Sequence, residues 1–252
     1  MKIRSIEVFA ADIALGEPFR IAIMEITSAR SVFVRVHTDQ GVYGTGEANP
    51  TWAITGETRE TNLAAATDLA SLLLGRDPLN LEERNGDLGR YLTHNSTLRS
   101  AFDMALYDIA GKAFGQPLYS LLGGGRRLFF SDRTIGIDEP ERMAAKALEY
   151  RAQGYKTIKL KLGTGFRADV ARVEAVRRAV GNDAPIRVDA NQGWDYKTAA
   201  STLKAIEPLE VEYCEQPVPR WDWDGMRRLR EATSIAIMAD EAMFDHHDAY
   251  RL

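Results

Sequence analysis

The 252 residues are 45% hydrophobic and 27% charged, enough apolar material for one large domain or two modest ones. A formal net charge of -4, a pI near 5.7 and basic residues scattered singly or in pairs such as Arg126-Arg127 exclude nucleic acid as the expected partner. No stretch approaches the roughly 18 apolar residues that span a bilayer, and the lone Cys214 excludes an intrachain disulfide and points to a reducing, cytoplasmic setting.

The chain opens with Lys2-Ile3-Arg4-Ser5-Ile6-Glu7-Val8, a strand-like alternation rather than a signal peptide. Period-two patterning continues to Glu47, with turn signals at Asp39-Gln40-Gly41 and Gly44-Thr45-Gly46, and predicts antiparallel strands. Gly44-Thr45-Gly46-Glu47 is read as a hairpin turn, since no helix follows to make it a nucleotide loop. From about residue 57 to Phe114 the period becomes helical, clearest in Leu98, Phe102, Ala105, Ile109 and Ala113. Gly115 and Pro117 end that helix, and Gly123-Gly124-Gly125 marks a breakpoint, so the expected domains are 1–125 and 126–252. Beyond it, strands at 157–162, 186–190, 211–215 and 235–239 alternate with helices at 166–180, 196–206 and 223–233. Such units predict a parallel sheet, either a (β/α) barrel or a doubly wound one.

The acids and lysines fall at equivalent places on these strands. In Ile158-Lys159-Leu160-Lys161-Leu162 the two lysines share one face and the apolar residues take the other, which packs on helices. Inward ammonium groups need carboxylate partners or a chemical task. Asp189, Glu215 and Asp240 each close a following strand, at steps of 28, 26 and 25 residues from Lys161, about one strand-helix unit apiece. Three carboxylates converging at the carboxyl ends of strands repel one another unless a cation neutralises them, and all-oxygen ligation suits a hard divalent ion: magnesium, with manganese the alternative. Beside that metal a lysine is the base that removes a proton alpha to a carboxylate, its pKa lowered by the neighbouring positive charges. Lys161 lies nearer the strand end than Lys159 and is the better candidate. Cys214 has the opposite parity to Glu215 and is expected to pack in the core, while Asp245 is expected to cap a helix that starts at His246-His247.

These residues resemble the mandelate-racemase/muconate-lactonising branch of the enolase superfamily. The resemblance is carried by Lys159-Leu160-Lys161, Asp189-Ala190-Asn191-Gln192-Gly193-Trp194, Glu215-Gln216-Pro217, Ala239-Asp240-Glu241 and Pro117-Leu118-Tyr119. It implies an α+β capping domain over a (β/α) TIM-type barrel, magnesium on Asp189, Glu215 and Asp240, and Lys161 as base with Lys159 assisting. Within that family the chain is most similar to dipeptide epimerases, through Pro18-Phe19-Arg20, Ile54-Thr55-Gly56-Glu57 and Asp132-Arg133-Thr134. The resemblance makes Met24, Ile54 and Thr134 the expected substrate contacts. Met24 stands where members acting on L-Ala-D/L-Glu carry an arginine for the glutamate side chain, which implies a non-acidic second residue. The segments 18–26 and 51–58 are expected as loops that close over the site.

The expected partners are a small-molecule carboxylate, a dipeptide in the first instance, and further copies of the chain in a homo-oligomer. About five of eight barrel strands are legible, so the barrel is expected to be incomplete in this sequence. The family's second base lysine, on the sixth strand, then falls outside it. Competing expectations are lyase or cycloisomerase chemistry like that of o-succinylbenzoate synthase or muconate cycloisomerase, and a non-catalytic truncated remnant.

Overall fold

The computed structural model describes residues 1–252. Three strands open the chain, β1 (Ile3–Ile21), β2 (Met24–Thr38) and β3 (Tyr43–Ala48), in a sheet of that order. β2 and β3 pair antiparallel from Val32 opposite Ala48 to His37 opposite Tyr43. Four helices follow: α1 (Arg59–Leu73), α2 (Leu81–Tyr91), α3 (Ser96–Phe114) and the short α4 (Leu118–Leu121). Val32, Val34 and Val36 are fully buried on one face of β2 and share a core with Leu98, Phe102, Ala105 and Ile109 of α3. α3 ends at Gly115, which adopts the left-handed conformation expected of a helix-terminating glycine.

Gly44 and Gly46 correct the sequence expectation. They lie inside β3 rather than in a turn, because α3 crosses that strand so closely that a Cβ on either glycine would overlap the carbonyl of Ala105 or Ala101. The segment 18–26 also differs from the expected loop. It is a hairpin tip, the end of β1 joined through Ala22 and Ile23 to the start of β2.

The remaining elements are β4 (Asp132–Ile135), α5 (Pro140–Ala152), β5 (Thr157–Lys161), α6 (Phe166–Val180), β6 (Ile186–Asp189), α7 (Tyr196–Ile206), β7 (Val211–Glu215), α8 (Trp223–Ala232), β8 (Ala236–Met238) and α9 (His246–Arg251). β4 to β8 form one five-stranded parallel sheet in sequence order. Ile158, Leu160, Ile186, Val188 and Cys214 are buried on its helix-covered face, so Cys214 is a core residue as expected. Asp245 caps α9, accepting from the backbone N–H groups of His247 and Asp248. No helix is long and apolar enough to cross a membrane.

The chain divides into two compact units, one of residues 1–16 and 28–128 and one of residues 17–27 and 129–252. The hairpin tip therefore belongs with the parallel sheet, although it is continuous with the strands of the first unit, a placement that the expected 1–125 and 126–252 division does not contain. Arg20 supplies a reason: its carbonyl accepts the Ile137 N–H at 2.9 Å, just past β4.

At the opposite end of the parallel strands the buried Arg177 of α6 donates to four carbonyls, those of Gly181 and Ala184 at 2.7 Å, Leu209 at 2.9 Å and Glu210 at 3.2 Å. It ties together the loops that enter β6 and β7. Arg177→Met keeps the aliphatic stem but leaves those buried carbonyls without a donor, and is expected to cost on the order of 3 kcal/mol. Denaturant unfolding at unchanged slope measures it, and a loss below about 1 kcal/mol would show the carbonyls to be solvated.

Candidate active site

Parallel pairing puts the predicted residues side by side. In the ladder Thr134 is opposite Lys159, Lys161 opposite Asp189, and Asp189 opposite Glu215. Residues paired in register point to the same face, so one residue each from β4 and β6 and two from β5, with Glu215 of β7, line the face away from the helices. The Lys161 ammonium donates to Asp189 Oδ2 at 2.6 Å. Lys159 donates to Glu215 Oε2 at 2.6 Å and lies 3.1 Å from Asp189 Oδ2. Level with Lys159 in the ladder, Arg187 bridges Asp132 at 2.9 Å and Glu212 at 2.7 Å. The lysines, the arginine and the acids of the inner face are thus paired with one another, which is what strand parity required of inward lysines.

Electrostatics divides the two central acids. Burial would raise the pKa of Asp189, but the charges of Lys161 and Lys159 and the hydrogen bond from Lys161 pull it below the usual carboxylate range. Glu215 moves the other way: burial, with the negative charges of Asp189 and Asp240, raises it despite the hydrogen bond from Lys159. Burial lowers the Lys159 pKa, yet the hydrogen bond to Glu215 and the charges of Asp189 and Glu215 outweigh it and carry it upward. Two carboxylates hold the proton of Lys159, which suits the assisting, positively charged role expected of it beside the base.

Asp240 departs from its expected place. β8 ends at Met238, the partner of Glu215, so Asp240 lies two residues past the strand and is exposed. The Gln216 side chain explains the turn, since its Oε1 accepts the N–H groups of both Asp240 and Ala242 at 3.0 Å and draws the backbone off the ladder. The carboxylate still acts electrostatically on Glu215. No three acidic or histidine side chains in this arrangement stand close enough to enclose one ion; the ammonium groups do the neutralising. The donor chemistry itself fits a hard divalent cation, with carboxylates on neighbouring strand ends whose mutual repulsion is visible at Glu215.

Met24, half-buried, begins β2 at the hairpin tip. The tip reaches the strand ends: a Cβ on Gly163, just after β5, would collide with the Ala22 methyl and the Ala190 carbonyl. Met24 and the Lys161-Asp189 pair are thereby brought to the same end of the sheet. Thr134 sits half-buried beside Lys159. Ile54 is in the turn that follows β3, within the first unit, its N–H donating to the Thr51 carbonyl at 2.9 Å.

Sequence reasoning missed three polar groups beside the acids. Glu241 is 1% exposed, accepts from the Asn191 amide at 3.2 Å, and leaves Oε2 without a protein partner. Burial raises its pKa. Asn191 and Gln216 hold positive φ angles of 40° and 35° at the ends of β6 and β7, a strain that concentrates at functional sites. All three adjoin the acids within the segments that carry the resemblance, and their burial, with the backbone conformation of Asn191 and Gln216, sets them apart.

Comparison with known proteins follows the same lines. Residues 3–123 match the family model described as mandelate racemase / muconate lactonizing enzyme, N-terminal domain, and residues 142–252 match enolase C-terminal domain-like. The chain belongs to the mandelate racemase/muconate lactonizing enzyme family of the enolase superfamily. Among family members, the hydrophobic dipeptide epimerase of Enterococcus faecalis is 40% identical over 252 residues, covering 100% of this chain and 71% of that protein. The L-Ala-D/L-Glu epimerase of Bacillus subtilis is 38% identical, covering 100% of this chain and 70% of its own length. A crystal structure of the dipeptide epimerase from Cytophaga hutchinsonii, complexed with Mg and D-Ala-L-Val, superimposes with a TM-score of 0.97 at 38% identity, over 100% of this chain and 69% of that one. Capping domain and barrel are the architecture of the family, and the parallel sheet of β4 to β8 is this chain's barrel portion.

Proposed function

We propose that the chain carries the metal site and one catalytic base of a magnesium-dependent dipeptide epimerase. The observation that supports it is the set formed by Lys161, Asp189, Lys159 and Glu215 on three adjacent strands, with hydrogen bonds of 2.6 Å. Asp189, Glu215 and Asp240 are the residues that would hold the divalent cation, with manganese the alternative metal. Once bound, that cation supplies the positive charge that orients the substrate carboxylate and favours loss of the neighbouring α proton.

Lys161, as the free amine, takes the α proton of the dipeptide's second residue onto Nζ, while Lys159 holds positive charge one layer below. Inversion needs a proton returned to the opposite face. Lys197 is exposed on α7 and Lys204 is paired with Glu207, so neither serves. β4 and β8 end this sheet, and closure of an eight-stranded barrel takes three further strand-helix units. Homo-oligomerisation is part of the same reading, supported by the exposed Leu122 and Leu128. A cytoplasmic setting is supported by the single free cysteine.

An apolar second residue suits the hairpin tip. The Arg20 guanidinium is taken by Glu25 through bonds of 2.7 and 3.0 Å, leaving Ala22, Ile23 and Met24 as the neighbouring surface. Exchange of the α proton in deuterated water, across a panel of dipeptides with magnesium present, tests the assignment. Exchange is expected at the second residue and fastest where that residue is apolar. No exchange with any dipeptide, alongside turnover of a muconate, would replace epimerisation with cycloisomerisation. In the same assay Met24→Arg is expected to shift preference toward acidic second residues by about 10- to 100-fold, the worth of one charge-assisted contact. An unmoved preference would remove Met24 from the pocket.

A further inference from the structure

A carboxylate outside the constellation organises the loops around it. Asp169, in the first turn of α6, is fully buried. Its Oδ2 accepts the backbone N–H groups of Gly163 at 3.1 Å, Thr164 at 2.9 Å and Gly165 at 2.9 Å, and the Trp194 indole N–H at 2.8 Å. Its Oδ1 accepts from the Thr164 hydroxyl at 3.2 Å and from Arg172 at 2.7 Å. Arg172 also donates to the Asp138 carbonyl at 2.9 Å, beyond β4.

Six donors on one carboxylate exceed what capping α6 requires. The three backbone donors are the residues that follow Lys161 and Leu162. Gly163 and Gly165 have φ of 106° and 132°, a path that side-chain-bearing residues rarely take. Gly163 is wedged between Ala22 of the hairpin tip and the Ala190 carbonyl, and a Cβ on Gly193 would overlap Gly163 itself. Trp194, 2% exposed, stands in the loop that leaves Asp189. Its backbone N–H donates to the Pro217 carbonyl at 3.2 Å, past β7. One buried anion thus ties together the backbones that carry Lys161 and Asp189 and, through Gly163, the seat of the hairpin tip.

We propose that Asp169, acting through Trp194 and the amides of residues 163–165, is a positioning residue that fixes the Lys161 amine relative to Asp189 and the substrate α carbon. It touches neither substrate nor metal. The proposal rests on Lys161 being the base. A misplacement of about 1 Å costs on the order of a hundredfold in rate while leaving binding groups in place, so the signature is in kcat and not in KM.

The test uses α-proton exchange on a dipeptide substrate with magnesium present, in wild type, Asp169→Asn, Trp194→Phe and Lys161→Ala. Trp194→Phe keeps the ring in its apolar setting and removes one donor, so it carries the test if Asp169→Asn does not fold. Expected results are a fall in kcat of about 10- to 100-fold for Asp169→Asn, a smaller fall for Trp194→Phe, KM within about threefold, and melting temperatures above the assay temperature for the variants scored. Unchanged kcat in a folded Trp194→Phe and a folded Asp169→Asn overturns the proposal. So does a loss confined to KM, or one matching the fraction unfolded. Lys161→Ala separates the two ideas. If it retains exchange, the base assignment fails; if it abolishes exchange while the other variants keep full kcat, the positioning role alone fails.

Discussion

Lys161→Ala is expected to lower the rate of α-proton exchange by about a hundred- to ten-thousand-fold, the usual cost of removing a positioned acid-base group. The side chain is 11% exposed, its strand neighbours Leu160 and Leu162 are fully buried on the other face, and its amine has one carboxylate partner at 2.6 Å. Truncation leaves Asp189 with Lys159 at 3.1 Å, so the acid is not stranded and the fold should survive. Lys161→Arg is the sharper control. It restores positive charge beside Asp189 but does not deprotonate at working pH, so it should lose exchange as completely as alanine while binding a dipeptide at close to the wild-type constant. Exchange retained in the arginine variant would show that charge at this position, and not proton abstraction, is what the reaction uses.

Glu215→Gln is expected to weaken magnesium binding by more than the ten- to hundredfold that loss of an outer-shell partner costs, and to abolish turnover. The argument is electrostatic. Burial and the charges of Asp189 and Asp240 raise the Glu215 pKa, so the carboxylates sit together at a cost that a divalent cation relieves. Glutamine keeps the shape, removes one of the charges that attract the ion, and relieves part of the repulsion in its absence. Asp240→Asn provides the comparison, since Asp240 is exposed and not within the strand, and its replacement should leave unfolding nearly unchanged while also weakening the metal. Calorimetric titration with magnesium and with manganese gives both affinities. Wild-type affinity in the two variants would take the metal away from these residues.

Parity and spacing carried most of the site. Lys159 and Lys161 alternate with fully buried Ile158, Leu160 and Leu162, and a strand covered by helices on one face leaves the lysines a single direction to point. Asp189 and Glu215 recur at one strand-helix unit each because every unit rises and returns over the same thickness of sheet. The helix bounds of α6 and α7 were legible to the residue, since amphipathic period and caps agree there. β4 and α5 are not legible in the sequence as a strand and helix. β4 has only four residues, Ile135 the one fully buried among them, and a span so short shows no period. Gly44-Thr45-Gly46 misled for a different reason. Glycine pairs signal turns when only local conformation is considered, whereas these two are glycines because of a helix that is 50 or more residues later in the chain.

What the sequence by itself determined is therefore periodic or local: the order of strands and helices, the face each lysine takes, and the equivalent strand-end positions of Asp189 and Glu215. Only the tertiary structure decided which charge neutralises which, that Asp240 turns off the strand on the amide of Gln216, that Glu241 and not Asp240 is the buried acid of that pair, and that the hairpin tip joins the parallel sheet at Gly163. Each of these depends on contacts between residues distant in sequence and set by packing, which has no period to read. Asp169 is the clearest case: an acid in the first turn of a helix is an ordinary sequence feature, and its six donors come together only after loops from separate strands have met.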